Sequence, residues 1–292
     1  KEDDFIEHMF VASTHQYILF FTDKGRCYWL KVHEVPEGGR TARGRSVVNL
    51  LDKDKDDNIT AFVAVKEFRE DQYLIMATQK GTIKKTVLAA YGNVRKGGIN
   101  AINLAAGDSL IEVKMTDGKN DIVIGTSHGF AIRFNEKDVR DMGRTATGVR
   151  GVRLGKGDHV VGLLVIRNDQ TTVLVVTEKG FGKRSDINDY RITKRGGKGV
   201  ITVKTTDKVG KLIAMMEVVD RDELVIISTQ GMIIRQSVKD LRVMGRNTQG
   251  VRVIRLNDHD SIADIARVVP EDDEEINGNG NGNGKEIEPL LS

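Results

Sequence analysis

The sequence predicts an all-β protein, a propeller-like ring of four-stranded blades, from three observations. A turn of the form Thr/Ser-x-x-Gly occurs five times, at intervals of 56, 48, 51 and 51 residues, and ends at Gly25, Gly81, Gly129, Gly180 and Gly231. A second glycine follows each turn after 17 or 19 residues, at Gly44, Gly98, Gly148, Gly199 and Gly250. Short apolar, β-branched runs precede every turn. A repeat of this length is typical of propellers and arrays built from one supersecondary unit.

Each repeat begins with two strands joined by this turn. The first strand is expected in the apolar runs at residues 17–21, 73–77, 121–124, 173–176 and 224–227. Short apolar runs bounded by turn residues are typical of buried strands, and the turn glycine suits the positive-φ position of a hairpin. The second strand is expected at residues 82–85, 130–133, 181–184 and 232–235.

Two further strands complete the predicted blade. The third follows the second glycine, at residues 46–50, 99–102, 151–154, 200–203 and 251–254. An Asp-led turn then opens the fourth, at Asp57, Asp108, Asp158 and Asp258. Four strands in about 50 residues match a propeller blade. Residues 4–6 and 260–262 both match the start of a fourth strand, so we expect the natural protein to continue upstream of Lys1 and the intact domain to have six blades.

Charge divides the chain into a basic body and an acidic tail. We predict one β domain over residues 1–269 and an Asn/Gly-rich tail without folded structure over residues 270–292. The tail carries −7 + 1 = −6 of the net charge of +3, which leaves +9 on the body. A basic body indicates a polyanionic partner. We weigh two roles for the tail, competition with that partner for the basic surface and a solubilising linker.

Composition and motifs argue against several function classes. No apolar run approaches the roughly 18 residues that a membrane helix needs, so no membrane partner is expected. The single Cys27 excludes an internal disulfide and fits a reducing cytoplasm. The six histidines show no metal-ligand spacing, and no Walker-type phosphate loop is found. We therefore expect no catalytic residue, metal or cofactor in this chain.

Basic residues recur at the same phase of the repeat. Equal phase means equal radius and height on a ring, so these bases are expected to form a belt that binds the phosphates of duplex DNA, independently of sequence and strongly dependent on salt. The alternative is that they are only the polar side of the strands. The low aromatic content of 5% argues against single-strand binding by stacking, and no recognition helix is evident. The predicted DNA-binding residues are Arg40, Arg43, Arg45, Lys84, Lys85, Arg95, Lys96, Arg133, Arg144, Arg150, Lys183, Arg184, Lys194, Arg195, Lys198, Arg235, Arg246 and Arg252.

Four segments, residues 40–51, 77–86, 142–154 and 243–255, resemble the C-terminal domain of the DNA gyrase A subunit, and the resemblance extends over residues 1 to about 269. It implies a β-pinwheel whose blades, usually six, exchange strands between neighbours. It also implies that duplex DNA is bent and wrapped around a basic rim, so that the ATP-driven enzyme introduces negative supercoils. The catalytic tyrosine and the sites for ATP and Mg²⁺ would then lie outside this chain. The implied partners are DNA, the gyrase B subunit, together with the rest of the gyrase A subunit; the isolated, bacterial, cytoplasmic domain would be a non-enzymatic monomer.

One departure from the family concerns its seven-residue basic box, Gln-Arg-Arg-Gly-Gly-Lys-Gly, which we expect upstream of Lys1. Residues 193–199, Thr-Lys-Arg-Gly-Gly-Lys-Gly, keep five of the seven positions, either as a decayed copy or as a second contributor to wrapping. Two alternatives are a propeller that scaffolds protein partners and the corresponding domain of a topoisomerase IV A subunit. An enzyme with a site in the central channel is a further class, which no motif supports.

Overall fold

A computed structural model of the chain describes residues 13–36, 50–54, 56–93, 95 and 97–268. The predicted tail over residues 270–292 and the upstream strand at residues 4–6 lie outside these ranges. The described chain is all-β, as predicted. Its strands are β1 (Tyr17–Thr22), β2 (Arg26–Lys31), β3 (Ile59–Val65), β4 (Tyr73–Thr78), β5 (Thr82–Val87), β6 (Ile99–Asn100), β7 (Leu110–Thr116), β8 (Asp121–Thr126), β9 (Phe130–Asn135), β10 (Val149–Arg150), β11 (Val160–Ile166), β12 (Thr172–Thr177), β13 (Phe181–Asp186), β14 (Val200–Ile201), β15 (Leu212–Val218), β16 (Glu223–Ser228), β17 (Ile233–Ser237), β18 (Val251–Arg252) and β19 (Ile262–Val268).

The strands form five antiparallel sheets, one blade for each repeat. The sheet orders are β3-β1-β2-β6, β7-β4-β5-β10, β11-β8-β9-β14, β15-β12-β13-β18 and β19-β16-β17. In the first four blades the last, two-residue strand comes from the following repeat, so neighbouring blades exchange strands. Blade 5 has three strands within the described residues. A short 3-10 turn follows the second strand of each repeat, at Val32–Glu34, Leu88–Tyr91, Glu136–Asp138, Ile187–Asp189 and Val238–Asp240.

The long third strands define the centre of the ring. β3 packs against β7, β7 against β11, β11 against β15, and β15 against β19. The exchanged strands therefore lie at the opposite, outer edge of each sheet. Apolar cores fill the spaces between successive blades: Leu19 and Phe21 of blade 1, for example, pack with Leu74 and Met76 of blade 2. Each blade thus buries its faces against its neighbours, as expected when one repeat cannot form a core alone.

The predicted hairpins are confirmed. All five turn glycines have positive φ, between 77° and 86°. Glycine is also needed for close approach, because a Cβ at Gly180 would lie 2.7 Å from the carbonyl oxygen of Ile254 in the next repeat. That contact accompanies two hydrogen bonds, since the main-chain N–H groups of Val253 and Ile254 donate to the Gly180 carbonyl at 2.8 and 3.3 Å.

The third strand of the repeat is shorter than predicted and pairs with a different blade. We expected four or five residues, whereas β6, β10, β14 and β18 have two each. After two ladder pairs the chain leaves the sheet and hydrogen-bonds to the turn glycine of the preceding blade, as Ala101 does to Gly25. The turns before the fourth strand are confirmed at Asp108 and Asp158, whose carboxylates accept from the N–H groups of Lys80 and His128, both at 2.9 Å.

The prediction of Asp258 for the corresponding turn in the last repeat is wrong. Asp260 takes this position and accepts from the N–H of Gln230 at 3.1 Å. The two aspartates flank His259, which has a positive φ of 63°. Gly157 precedes Asp158 in the same conformation, so the aspartate that caps the turn is the one after the positive-φ residue.

A basic outer rim as candidate nucleic-acid interface

The outer edge of the ring carries most of the predicted basic residues. We define the rim segments as residues 92–100, 139–150, 190–201 and 241–252, which run from the end of a 3-10 turn through the second glycine to the exchanged strand. Arg95, Arg150, Lys194, Lys198 and Arg252 are exposed there, and Arg144, Arg195 and Arg246 are partly exposed. The remaining predicted rim residues Arg40, Arg43, Arg45 and Lys96 lie outside the described residues.

Three rim arginines are held by main-chain carbonyls in the same way in successive repeats. Arg144, Arg195 and Arg246 donate from Nη1 to the carbonyls of Asn100, Arg150 and Ile201, at 3.3, 2.9 and 2.9 Å. These acceptors are the last residues of the exchanged strands of the preceding repeats. Arg195 and Arg246 also donate from Nε to the carbonyls of the last residues of 3-10 turns, Asp138 at 2.9 Å and Asp189 at 3.0 Å.

This geometry fixes the guanidinium groups without neutralising them. A carbonyl carries no net charge, so Arg195 keeps its full positive charge. A guanidinium has five N–H donors, and Arg195 uses two of them in these bonds. The others remain for an incoming acceptor, and a phosphate oxygen forms strong, charge-assisted hydrogen bonds with such donors.

Other rim cations are held more loosely. Lys194 is 89% exposed and forms an ion pair of 2.8 Å with Asp138. Lys198 lies over the Phe130 ring, with Nζ 4.3 Å from the ring centroid, and Arg252 lies over the Phe181 ring at 5.4 Å. A cation over a ring face is stabilised while its charge stays accessible. Phe130 and Phe181 occupy equivalent positions, 51 residues apart.

The bases on the second strands correct the predicted belt. Lys85 and Arg184 are buried, and Arg133 is 11% exposed. Arg133 pairs with Asp121 at 2.8 Å, Arg184 with Asp220 at 2.5 Å, and Lys85 with Asp141 at 3.3 Å. The reason is that the following repeat covers this position: parallel bridges join the three bases to Asp141, Ile192 and Val243. Equal phase therefore does not imply exposure on a strand that its neighbour covers.

Arg235 occupies the same position in blade 5 and differs from these three bases. It is 64% exposed and pairs with Glu223. Within the described residues no segment of a further repeat covers it. Exposure of Arg235 therefore follows from its place in the last described blade.

Lys84 and Lys183 are also buried, and their ammonium groups hold rim segments from within. Lys84 Nζ donates to the carbonyls of Ala101 and Arg144, both at 2.5 Å. Lys183 Nζ donates to the carbonyl of Gly245 at 2.6 Å and to that of Arg246. Burial, reinforced by the neighbouring Arg144, lowers the pKa of Lys84 to about 8. Burial likewise lowers the pKa of Lys183 to about 8. Their role is to support the segments that carry Arg144 and Arg246.

Two further basic rows were not among the residues predicted from sequence. Arg140, Arg191 and Arg242 are exposed and stand 51 residues apart; so are Arg153, Lys204 and Arg255. The first row lies within the rim segments, and the second lies three residues beyond the exchanged strands. The same test of equal phase, applied to every position of the repeat, could have found both rows.

Two other kinds of site are absent from the described part of the chain. No group of three or more His, Cys, Asp or Glu side chains is arranged to hold a metal ion there. No helix in that part is long and apolar enough to cross a membrane.

Strand exchange between blades and an in-phase basic rim define the molecule as a β-pinwheel, a propeller-like repeat domain. A family model described as the DNA gyrase C-terminal domain, a beta-propeller, matches residues 16–65, 72–117, 120–167, 171–218 and 222–268. These five segments coincide with the five blades. The chain belongs to the DNA gyrase C-terminal domain family, which confirms the resemblance found in the sequence.

Individual relatives agree with this assignment. The chain is 44% identical over 276 residues to the DNA gyrase A subunit of Staphylococcus aureus strain MRSA252, and the match covers 94% of this chain and 31% of that protein. The same protein of strain NCTC 8325 is 44% identical over 278 residues, again with 94% and 31% covered. The chain thus spans about a third of the length of these relatives.

Two solved structures are similar to this fold. The crystal structure of the C-terminal domain of DNA topoisomerase IV matches with a TM-score of 0.81 and 26% identity, over 88% of this chain and 80% of that one. A DNA gyrase A C-terminal domain matches with a TM-score of 0.76 and 24% identity, over 88% and 84%. The second likeness bears on the fold alone.

Proposed function

We propose that this chain is the DNA-binding domain of a gyrase-type topoisomerase, which bends and wraps duplex DNA around its rim without regard to sequence. The observation that carries the proposal is the repeated arginine of the rim segments, held by neutral carbonyls at Arg144, Arg195 and Arg246. A fixed, uncompensated charge at the same place in successive blades suits the regular spacing of phosphates along a duplex. The gyrase family membership supports the same function.

The mechanism requires only binding and geometry. Cations on the rim displace counterions from the phosphates, and the resulting free energy offsets the cost of bending, on the order of 1–6 kcal/mol for a 20–30 bp site bent by 40–90°. Contacts to phosphates carry no direct sequence information. The rows of bases follow the outer edge of the ring, so DNA that contacts several blades has to curve.

The remaining assignments follow from the proposed place in the enzyme. The partners are duplex DNA, the gyrase B subunit, together with the rest of the gyrase A subunit. The chain performs no catalysis itself and holds no cofactor; strand cleavage and the use of ATP and Mg²⁺ belong to other parts of the holoenzyme. The isolated domain is a monomer, and the holoenzyme acts in the bacterial cytoplasm. The names of the relatives support these assignments, which extend beyond the third of their length that this chain spans.

A salt titration with two triple variants tests the proposal. In the rim variant Arg150, Lys194 and Lys198 become Ala; in the control variant the exposed Lys66, Lys119 and Lys156, which lie outside the rim segments, become Ala. Each phosphate contact contributes about 0.9 to the slope of log K against log salt. We expect the slope to flatten by roughly 2–3 in the rim variant and to change little in the control. Equal slopes in all three proteins would refute the proposal.

The topoisomerase IV alternative is kept because of the high structural similarity to that domain. Ligation of nicked circular plasmid in the presence of the chain distinguishes the two readings. A directional shift in linking number favours gyrase-type wrapping with a fixed hand. Binding without a shift favours bending alone, as expected for the alternative. No binding would favour the protein-scaffold reading.

A further inference from the structure

Two large apolar side chains are exposed within the rim segments. Ile192 is 58% exposed and Val243 is 52% exposed, and they stand 51 residues apart at the same position of successive repeats. Most large apolar residues of the described chain are buried between the blades. The repetition of this exposure at one position indicates a shared role.

The backbone under both side chains is held firmly. Ile192 and Val243 form parallel bridges with Arg133 and Arg184 of the preceding blade. The next residues donate their N–H groups to the same two carbonyls, Thr193 to Arg133 at 2.9 Å and Met244 to Arg184 at 2.8 Å. The exposed side chains therefore stand on a backbone anchored to the neighbouring blade.

The fold does not require an apolar side chain at this position. In the preceding repeat the equivalent residue is Asp141, which forms the same bridge and pairs with Lys85. A polar residue is thus compatible with the backbone here. The apolar choice at Ile192 and Val243 calls for an explanation outside the fold.

The neighbours of both residues are cations. An exposed arginine precedes each of them, Arg191 and Arg242, and three residues later each is followed by a carbonyl-held arginine, Arg195 or Arg246. A surface with an apolar tip between cations fits a partner that offers apolar surface between two lines of negative charge. The minor groove of duplex DNA has this character, with sugars and base steps lying between two phosphate backbones.

We propose that Ile192 and Val243 are apolar contacts to the DNA minor groove, which wedge against base steps while the flanking arginines bind phosphates. This inference rests on the proposed function and adds a non-electrostatic component to it. Apolar wedges partly unstack a step and bend the duplex towards the major groove. Pyrimidine–purine steps such as TA deform most easily, so the wedges give the rim a preference for flexible steps.

The test uses the double variant Ile192→Ser/Val243→Ser and the control Ile233→Ser. Ile233 is similarly exposed, at 57%, but lies on β17 outside the rim segments. Affinity is measured across a range of salt concentrations on two end-labelled duplexes, one with TA steps repeated every helical turn and one with A-tracts. Energy transfer between the end labels reports the bend, and urea unfolding checks that all proteins are folded.

We expect the double variant to lose about tenfold in affinity for the TA duplex, the scale of burying part of two apolar side chains. The salt slope should stay unchanged, the bend should decrease and the preference over A-tracts should disappear. The control should behave like the unmodified chain. Unchanged affinity, bend and preference in the double variant would refute the wedge and leave the proposed function intact. Failure of the unmodified chain to bind either duplex would refute both.

Discussion

Positive charge is held in two different ways in this molecule, and the difference separates structural from functional residues. Arg133 and Arg184 face carboxylates, Asp121 and Asp220, which cancel their charge where blades meet. Arg195 and Arg246 face carbonyls, which orient the guanidinium and leave its charge intact. Only the second arrangement can attract phosphate at close range.

Arg195 and Lys194 provide a matched pair of neighbouring substitutions. Arg195→Ala should flatten the DNA-binding salt slope by about 1 and also reduce the free energy of unfolding by roughly 1–3 kcal/mol, because two hydrogen bonds from a charged donor are lost. Lys194→Ala should flatten the slope similarly and leave stability nearly unchanged, since an exposed ion pair contributes about 0–1 kcal/mol. Urea unfolding and DNA titration check both. Equal stability loss in the two variants would contradict the assigned geometry.

Lys84 and Lys183 predict a specific pH dependence of stability. Their pKa values of about 8 lie below the usual 10.5. Between these values the unfolded chain keeps protons that the folded chain has released, so their contribution to stability rises with pH from about 8 to 10.5. We expect Lys84→Met/Lys183→Met to remove this rise, measured as the free energy of unfolding at pH 7–10.5. The exposed Lys156→Met is the control, and parallel profiles for the double variant and the unmodified chain would contradict the prediction.

At the scale of the element, the hairpin turn is a junction between repeats. In the first four blades its glycine receives the chain that leaves the exchanged strand, as Gly180 receives Val253 and Ile254. The turn thus links each blade to the following repeat, in addition to the apolar core between them. Blade 5 keeps the turn at Gly231 but lacks this contact within the described residues, where no atom comes within 4 Å of a Cβ built there.

Gly180→Ala and Gly231→Ala separate close approach from backbone strain. Both glycines have nearly the same φ, 78° and 83°, so alanine should cost about 1–2 kcal/mol at either site for the left-handed conformation alone. At Gly180 the new Cβ also meets the Ile254 carbonyl, and we expect a further loss of roughly 1–3 kcal/mol. Denaturant unfolding of each variant measures the difference. Equal losses would contradict the proposed role of the turn.

The same elements explain how much could be predicted from sequence. The hairpins, the blade count and the rim could be predicted, because glycine spacing and apolar runs report local geometry directly. The blade that receives the exchanged strand could not, since the pattern Val149–Arg150 fits either neighbour and the choice depends on tertiary packing. The burial of Lys84 could not either: its acceptor at Arg144 lies 60 residues away and is a main-chain atom that no side-chain pattern reveals.

At the scale of the whole molecule, stability and function are distributed over the repeats. Apolar cores between successive blades hold the ring together, while the outer edge carries the exchanged strands and the basic rows. Rigid blades therefore present cations at regular intervals. A curved DNA path along several blades follows from this arrangement, with the apolar contacts adding to the bend.

The most direct test of wrapping is the linking number of nicked plasmid ligated with increasing amounts of this chain. The account predicts a directional shift that grows with protein, weakens with salt, disappears with Arg150, Lys194 and Lys198 changed to Ala, and persists with the control lysines changed. No shift with the unmodified chain, or an equal shift with the rim variant, would contradict the claim that the basic rim wraps DNA.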